Sequence, residues 1–424
     1  MMADEKVRHL WEARLQKDKQ GNPKPTIANI MTVLRGAPEF IDCLCFDEFA
    51  QTVIWRSPIE GEREFPPWYS DGHGQTPYKW LDVDDVYLTE WCQLRNILIG
   101  VDSAHVAVNA VAKENVFHPV VEYLGSLEWD GIQRLCLRPD ATEQQIRRAA
   151  PIRYLGCRGS PFEIIAFGKW MLSAVARILS PGCQVDAALI LEGSQGTGKS
   201  SALKILGGDY FTDDIADVGS KDAAMQMAGA WIIELAELDA LNRAEVSRIK
   251  AFLSRRIDRY RPPYGRRIVD QPRQCVFAGT VNSNEYLHDE TGNRRFWPIT
   301  TGRIDLAGLA DARDQLWAEA VALYGLKQTW HIEAEPGTAF AESVRAEQAF
   351  RLSGDVWEST IEAHLVGYSH TTVKEVLENG LKFLAKDITK ADQMRAARCL
   401  RVLGWTRKRT MTSAARQVVW SRAD

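Results

Sequence analysis

The chain has 424 residues, of which 45% are hydrophobic and 25% are charged. This composition is that of a folded globular protein and excludes a mainly disordered chain. The length predicts two to four domains and excludes a small scaffold held together by disulfides. With 52 Lys and Arg against 56 Asp and Glu, the net charge of -4 does not mark the whole chain as a nucleic-acid binder. A mean charge can nevertheless conceal opposed patches.

The eight cysteines include no C-x-x-C pair and no cluster with zinc-ligand spacing. The first twenty residues, MMADEKVRHLWEARLQKDKQ, contain no apolar signal core, and no stretch approaches the roughly 18 apolar residues of a membrane span. We therefore expect reduced thiols, a cytoplasmic location and no membrane partner.

Residues 1–135 mix short periodic segments with Pro- and Gly-rich punctuation, and we predict a mostly helical accessory domain there. The aromatic residues from Trp55 to Trp80 either stack on bases or, as is more common, anchor a core. The segment FHPVVEYLGSLEWDG at 117–131 has the apolar spacing of a packed helix.

Residues 136–335 have the pattern of an α/β fold with parallel strands. A largely buried helix is predicted from Pro161 and is followed by the strand VDAALILEG, a glycine loop and the helix SSALKILGG. Further strands are predicted at AWIIELAEL (230–238) and CVFAGTVN (275–282), with the helix RAEVSRIKAFLSRR between them. In 340–424, two helices followed by the alternating segment TRKRTMTSAARQVVW predict a winged-helix-like domain.

The loop GSQGTGKS, Gly193–Ser200, matches G-x-x-x-x-G-K-S in full and lies between a predicted strand and a predicted helix. Its backbone N–H groups turn inward on phosphates, Lys199 reaches the β- and γ-phosphates, and Ser200 ligates Mg²⁺. We therefore predict ATP and Mg²⁺ as cofactors. The predicted nucleotide-binding residues are Gly193, Ser194, Gln195, Gly196, Thr197, Gly198, Lys199, Ser200 and Ser201.

Hydrolysis also needs a carboxylate at the end of a neighbouring strand. Glu237 ends an apolar run and is our first choice, as a metal ligand together with Ser200. Glu234 is the second choice. The alternative for one of the two is a paired structural carboxylate. Asn282, at the end of the next strand, is a candidate sensor of the γ-phosphate or of the attacking water, the alternative being a turn former. Arg294 and Arg295 follow a Gly-Asn turn and are candidates for an arginine finger, the alternative being a solvated basic pair.

Charge is strongly segregated in two regions. Between Arg243 and Arg273 there are ten basic and three acidic residues, and YRPPYGRR (260–267) is predicted as the tip of a hairpin that grips DNA. The alternative is a solvated helix face followed by a turn. From Leu381 onward there are eleven Lys and Arg but only three Asp. This basic excess favours DNA contact, with protein docking as the alternative. The predicted DNA-binding residues are Lys250, Arg259, Arg261, Arg266, Arg267, Arg407, Lys408 and Arg409.

The ordered set GSQGTGKS, WIIELAEL, IKAFLSRRIDRYRPPYGRR, FAGTVN and TGNRRFWPI resembles the virulence-associated protein E family of phage and prophage proteins. That family is a branch of the superfamily 3 helicase-type AAA+ P-loop ATPases. The resemblance implies an AAA+ core, a ring that is usually hexameric, a bacterial host cell, and an arginine donated to the nucleotide by a neighbouring subunit. The acidic motif Glu-Leu-Ala-Glu departs from the adjacent acids of the pattern. Residues 1–110 contain no primase-like acidic triad, so a separate primase or polymerase is an expected partner.

These features predict an ATP- and Mg²⁺-dependent, ring-forming DNA helicase or translocase that acts on single-stranded or forked DNA during replication of a phage or integrated element. The alternative is a DNA-binding initiator or regulator in which ATP controls assembly. A small-molecule kinase is disfavoured because the basic hairpin and the basic tail have no role in it.

Overall fold

A computed structural model describes residues 10–57, 65–69, 78–215, 221–235, 243–261, 267–282, 295–332, 338–350, 356–411 and 416–422. The chain forms two compact units, residues 1–350 and 351–424. The second unit therefore begins about ten residues after the predicted start of the winged-helix-like domain.

The N-terminal part of the first unit combines helices with a four-stranded sheet. Its elements are α1 (Ile27–Gly36), β1 (Leu44–Asp47), β2 (Thr52–Trp55), β3 (Tyr78–Lys79), α2 (Asp82–Gln93), α3 (Val101–Ala112), β4 (Val116–Phe117) and α4 (Pro119–Ser126). The strands lie in the order β3-β2-β1-β4, with β1 parallel to β4 and antiparallel to β2. The prediction of a mostly helical region left this sheet out.

Aromatic residues form much of the N-terminal core. Trp55 and Phe40 are fully buried, and the rings of Trp55 and Trp80 stack with their centroids 6.2 Å apart. Trp68 packs edge-on against Trp80 at 5.6 Å. This packing favours the interpretation of these residues as core anchors.

The remainder of the first unit is built around a five-stranded parallel sheet. Its helices are α5 (Glu143–Arg148), α6 (Ala150–Leu155), α7 (Pro161–Leu179), α8 (Lys199–Gly207), α9 (Lys221–Gln226), α10 (Arg243–Leu253), α11 (Leu306–Gly325) and α12 (Ala339–Phe350). Its strands are β5 (Ala188–Glu192), β6 (Phe211–Thr212), β7 (Ile232–Leu235), β8 (Ile257–Tyr260), β9 (Val269–Pro272), β10 (Val276–Val281) and β11 (Phe296–Thr300).

Five of these strands form the sheet in the order β11-β5-β10-β7-β6, and every neighbouring pair is parallel. The carboxyl ends of the strands therefore share one edge, where ligands of such sheets bind. The predicted α/β fold with a parallel sheet is confirmed.

Buried tryptophans connect the helices to this sheet. The indole Nε1–H of Trp170 on α7 donates to the Phe277 carbonyl of β10 at 2.9 Å, and that of Trp317 on α11 donates to the Leu206 carbonyl of α8 at 3.0 Å. Helix α7 begins with a capping box, in which Ser160 accepts from the Glu163 amide. The first bond holds α7 against the sheet, and the second holds α11 against the helix that follows the glycine loop.

Strands β8 and β9 form a separate antiparallel hairpin, with Arg259 opposite Asp270. The predicted tip, 260–267, begins at the last residue of β8 and ends before β9, and residues 262–266 fall outside the described part of the chain.

The second unit combines helices with a three-stranded antiparallel sheet, in the strand order β12-β14-β13. Its elements are α13 (Val356–His364), β12 (His370–Thr371), α14 (Val373–Glu375, continued by a π-helical turn at Val376–Gly380), α15 (Lys390–Val402), β13 (Trp405–Met411) and β14 (Arg416–Arg422). Ile361, Leu377, Leu400 and Trp420 contribute to its own core. Among the described helices, none is both long enough and apolar enough to cross a membrane.

Candidate nucleotide-binding site

The glycine loop connects β5, which ends at Glu192, to α8, which begins at Lys199. Gly196 and Gly198 have φ angles of +78° and +92°, which L side chains rarely adopt. A Cβ on Gly198 would also lie 3.4 Å from the side chain of Leu306. The first amides of α8 have no partner within the helix, an arrangement that is suited to binding an anion at its N-terminus.

Neighbouring strand ends hold the start of this loop. The amide of Gly193 donates to the Val281 carbonyl at 3.2 Å, and the amide of Thr301 donates to the Glu192 carbonyl at 2.7 Å. A Cβ on Gly193 would lie 2.5 Å from Thr301 Oγ1, so a larger residue would force the loop apart.

Lys199 is only 7% exposed and lies beneath the loop. Its ammonium donates to the carbonyls of Gly193 at 2.6 Å and Ser194 at 2.8 Å, and to Asn282 Oδ1 at 3.3 Å. The structure thus brings together the predicted phosphate lysine and the predicted sensor asparagine.

The carboxylate of Glu234 on β7 lies at the same edge and is 2% exposed. Its Oε1 accepts from Ser200 Oγ at 2.7 Å and from Thr280 Oγ1 at 2.6 Å. Its Oε2 is buried and has no hydrogen-bond partner among the described residues. Because a buried carboxylate oxygen is costly without a donor or a cation, this hydroxyl and carboxylate set fits a Mg²⁺ ion.

Thr280 was not among the predicted site residues, although it is the last position but one of β10. The register of the sheet identifies it. Ala278 pairs with Glu234 on β7, and Thr280, which pairs with Leu191 on β5, lies two residues further along β10 and therefore on the same face as Ala278. Three of the other candidates, Glu237, Arg294 and Arg266, lie outside the described residues.

Arg295 immediately precedes β11, whose first residue, Phe296, pairs with Ala188 at the start of β5. It therefore lies at the amino edge of the sheet. Five residues of strand separate the two edges by roughly 16 Å, more than an arginine side chain spans. The Nε of Arg295 is buried without a hydrogen-bond partner in the described part of the chain. Arg295 is therefore remote from the glycine loop of its own chain.

The predicted DNA-binding residues of the first unit differ in their exposure. Lys250 is only 6% exposed, with its ammonium 5.8 Å from the ring of Phe296, and this burial argues against direct contact with DNA. Arg259, Arg261 and Arg267 are exposed on the hairpin.

In the second unit, Arg407 is exposed on β13. The backbones of Lys408 and Arg409 belong to the same strand and pair with Val419 and Val418, while the positions of their side chains are not among those described.

A family model for the virulence-associated protein E-like domain matches residues 124–349, a little over half of the chain. The chain belongs to this family. The resemblance inferred from the motifs is thereby confirmed. The virulence-associated protein E-like domain includes the glycine loop, Glu234, Asn282 and Arg295, whereas residues 351–424 lie beyond it.

Several solved structures share low similarity with the chain. "The apo structure of NrS-1 C terminal region (305-718)" is 12% identical and aligns over 90% of this chain and 96% of that chain, with a TM-score of 0.41. The A form of the same region is 12% identical over the same shares, with a TM-score of 0.39. A further A form is 13% identical and aligns over 86% of this chain and 84% of that chain, also with a TM-score of 0.39. No curated protein matches the chain.

Proposed function

We propose that this chain is an ATP- and Mg²⁺-dependent, ring-forming DNA helicase or translocase that acts in replication of a phage or integrated element. The observation that carries the proposal is the cluster at the carboxyl edge of the sheet. There, Ser200 and Thr280 donate to Glu234, whose second oxygen is buried without a partner among the described residues, and Lys199 contacts Asn282.

The order of the strands supports an AAA+ P-loop core. Numbered by their appearance within the sheet, the strands lie in the order 5-1-4-3-2, and the glycine loop follows the second strand from the β11 edge. The loop, the acidic strand β7 and the strand ending near Asn282 are therefore neighbours. This adjacency lets residues distant in sequence act on one phosphate chain.

The roles of the residues follow from their positions. The amides of the loop and of the first turn of α8 would bind the β- and γ-phosphates, with the ammonium of Lys199 exchanging its loop carbonyls for phosphate oxygens. Ser200 and Glu234 would hold Mg²⁺, which offsets the charge that develops on the phosphates.

The acidic residue also has a proton-accepting role in this proposal. Glu234 would orient the attacking water and take its proton, while Thr280 and Ser200 fix the direction of the carboxylate. Asn282 would hydrogen-bond the γ-phosphate or that water. Glu237 stays a candidate for the metal and water role.

A ring accounts for the position of Arg295. Because it lies at the sheet edge opposite its own loop, Arg295 would complete the nucleotide site of a neighbouring subunit, alone or with Arg294. The family resemblance implies six subunits, and we include a hexameric ring in this proposal.

Exposed arginines supply the contacts with single-stranded or forked DNA. Arg259, Arg261 and Arg267 project from the hairpin, and Arg266 would extend the set. In the second unit, the order helix, strand, helix, helix, strand, strand supports a winged helix, with Arg407, Lys408 and Arg409 on the wing. A separate primase or polymerase would complete the replication machinery.

The test is steady-state ATP hydrolysis with and without single-stranded DNA. We expect DNA to raise the rate, Lys199→Ala to abolish turnover, and Arg261→Ala/Arg267→Ala to lose only the stimulation. Arg147→Ala/Arg148→Ala, two exposed arginines on α5, is the matched control and should behave like the wild type. Hydrolysis that is indifferent to DNA would contradict the proposal and favour an initiator in which ATP controls assembly.

A further inference from the structure

The base of the β8–β9 hairpin contains a buried ion pair that the proposed hydrolysis does not use. Asp258 on β8 and Arg273, which follows β9, are 5% and 3% exposed. The guanidinium donates to both carboxylate oxygens of Asp258, through Nε and, at 2.8 Å, through Nη2. Such a two-point contact fixes the orientation of both groups more strictly than apolar packing of the same volume does.

Arg273 also connects the hairpin to helix α10. Its Nη1 donates to the carbonyl of Phe252, one residue before the end of that helix, and its guanidinium lies 4.1 Å from the ring centroid of Phe252. Two strands of the hairpin and the end of α10 are thus held by one side chain. A displacement of the hairpin base would have to be shared by α10.

Helix α10 in turn contacts the residue beside Arg295. Lys250, one turn before the end of α10, is buried and places its ammonium 5.8 Å from the ring centroid of Phe296, within the range of a cation–π interaction. Phe296 is itself 2% exposed. Because Phe296 is buried beside Lys250 and directly follows Arg295, movement of α10 would alter the surroundings of Arg295.

We propose that Asp258, Arg273 and Lys250 form a joint that links DNA contact at the hairpin to the position of Arg295. This inference rests on the proposed function, in which Arg295 serves the nucleotide of the next subunit. The three residues are positioning residues, since they act through Arg295 and touch neither DNA nor nucleotide. DNA bound to one subunit then controls hydrolysis in its neighbour.

The alternative to this joint is a connection within one subunit, from the hairpin base to the nucleotide of the same chain. Strand β10 starts three residues after Arg273 and ends beside Asn282, so the hairpin base could also act on its own nucleotide. The joint predicts that the hairpin base controls hydrolysis in the neighbouring subunit, whereas the route through β10 predicts control within the same subunit. An experiment on mixed rings separates the two routes.

The first experiment compares Asp258→Asn with Asp270→Asn. Asp270 pairs with Arg259 across the same hairpin at 3.4 Å, but both side chains are more than 60% exposed, so this variant removes a solvated pair. For Asp258→Asn we expect single-stranded DNA affinity and basal ATP hydrolysis within about two-fold of the wild type, with DNA stimulation of kcat reduced at least five-fold. Asp270→Asn should keep the stimulation.

Lys250→Met tests the same joint without disturbing the ion pair, because it keeps the aliphatic stem and removes the charge. We expect the same loss of stimulation with unchanged DNA affinity. A weaker DNA affinity with a smaller salt dependence would make Lys250 a DNA contact and overturn its place in the joint. This variant also keeps the proposal testable if Asp258→Asn does not fold, as judged by thermal unfolding.

The second experiment dilutes wild-type subunits into an excess of Lys199→Ala subunits, whose hairpin and Arg295 are intact. The two kinds of subunit carry different affinity tags, and their co-purification verifies mixed assembly. Wild-type subunits should retain DNA-stimulated turnover in these rings. They should lose it when the excess subunits are Lys199→Ala/Asp258→Asn. Stimulation that persists would overturn the joint and favour the route through β10.

Different results would overturn the proposed function and the joint. If wild-type hydrolysis ignores DNA, the proposed function is wrong and the joint falls with it. If wild-type hydrolysis is stimulated and both Asp258→Asn and Lys250→Met are stimulated equally, only the joint is wrong.

Discussion

At the scale of single residues, the hydroxyl of Thr280 decides which way the carboxylate of Glu234 points. Replacing it by the isosteric Val removes the 2.6 Å hydrogen bond to Oε1 and leaves Ser200 as the remaining donor that the described residues supply there. We expect Thr280→Val to lower kcat about ten-fold, since misdirecting a catalytic group typically costs about that much or more. The dissociation constant for ATP should change less than about three-fold.

The matched control for this prediction is Thr300→Val. Thr300 also ends a strand at this edge, but its hydroxyl faces Glu192 at 3.4 Å and not Glu234. Measuring kcat and the dissociation constant for a fluorescent ATP analogue separates the two variants. Equal losses of kcat in both would show that Thr280 has only a packing role.

Glu319 on α11 is a buried acid that should make stability depend on pH. It is fully buried and accepts the backbone amides of Arg134 at 2.7 Å and Leu135 at 3.0 Å. Burial raises the pKa of Glu319 from 4.5 to about 7. Because the folded pKa is the higher one, the contribution to stability is complete below about pH 4.5 and is lost as the pH rises through about 7.

The corresponding prediction concerns Glu319→Gln, which cannot titrate. The free energy of unfolding of the wild type, relative to this variant, should fall by roughly 3 kcal/mol or less between pH 4.5 and pH 8. Urea unfolding at several pH values measures it. Parallel pH profiles of the two proteins would contradict the assignment.

Sequence and structure differ in what they reveal about such residues. The glycine loop, Lys199 and Ser200 are contiguous, so one motif and its flanking elements predict them. Thr280 and Glu319 acquire their partners through the fold, since Glu234 lies 46 residues from Thr280 and Leu135 lies 184 residues from Glu319. Local spacing carries no information about contacts of this kind, and so these two residues were not predicted.

At the scale of elements, Trp317 anchors the helix that follows the glycine loop. It is fully buried, its ring centroid lies 4.2 Å from that of Trp231, and its indole donates to the Leu206 carbonyl. Trp317→Phe leaves that carbonyl without its donor and removes ring volume, so we expect a loss of about 2 to 4 kcal/mol. Thermal unfolding would measure it. The matched control is Trp330→Phe, whose indole donates to the Gln184 carbonyl from a partly exposed position and should cost much less.

Long periodic elements were predictable and short ones were not. The prediction of a buried helix from Pro161 matches the observed Pro161–Leu179, because its apolar residues and its Pro and Ser start signals are local. Strands β3 and β4 have only two residues each, too few to show a period of two, and the sheet of the N-terminal region was therefore missed. Their pairing is decided by tertiary packing.

At the scale of the whole molecule, charge is divided between the two units. Residues 351–424 carry thirteen Lys and Arg against eight Asp and Glu, whereas residues 1–350 carry 39 against 48. The near-neutral total thus conceals a basic second unit, which the composition alone did not reveal. Because the second unit has its own core, it is suited to independent folding. Because it is basic, it is suited to binding a negatively charged ligand.

We therefore expect a fragment of residues 351–424 to unfold cooperatively by itself, because Ile361, Leu400, Trp405 and Trp420 bury their side chains within it. We also expect it to bind duplex DNA, with an affinity that falls linearly on logarithmic axes as salt is raised, since released counterions supply the driving force. Circular dichroism melting and fluorescence anisotropy at several salt concentrations measure the two properties. Arg407→Ala should weaken binding and reduce the slope without lowering the melting temperature. A folded fragment without affinity for DNA would assign the unit to protein docking, and a fragment that melts without a transition would show that its core depends on the first unit.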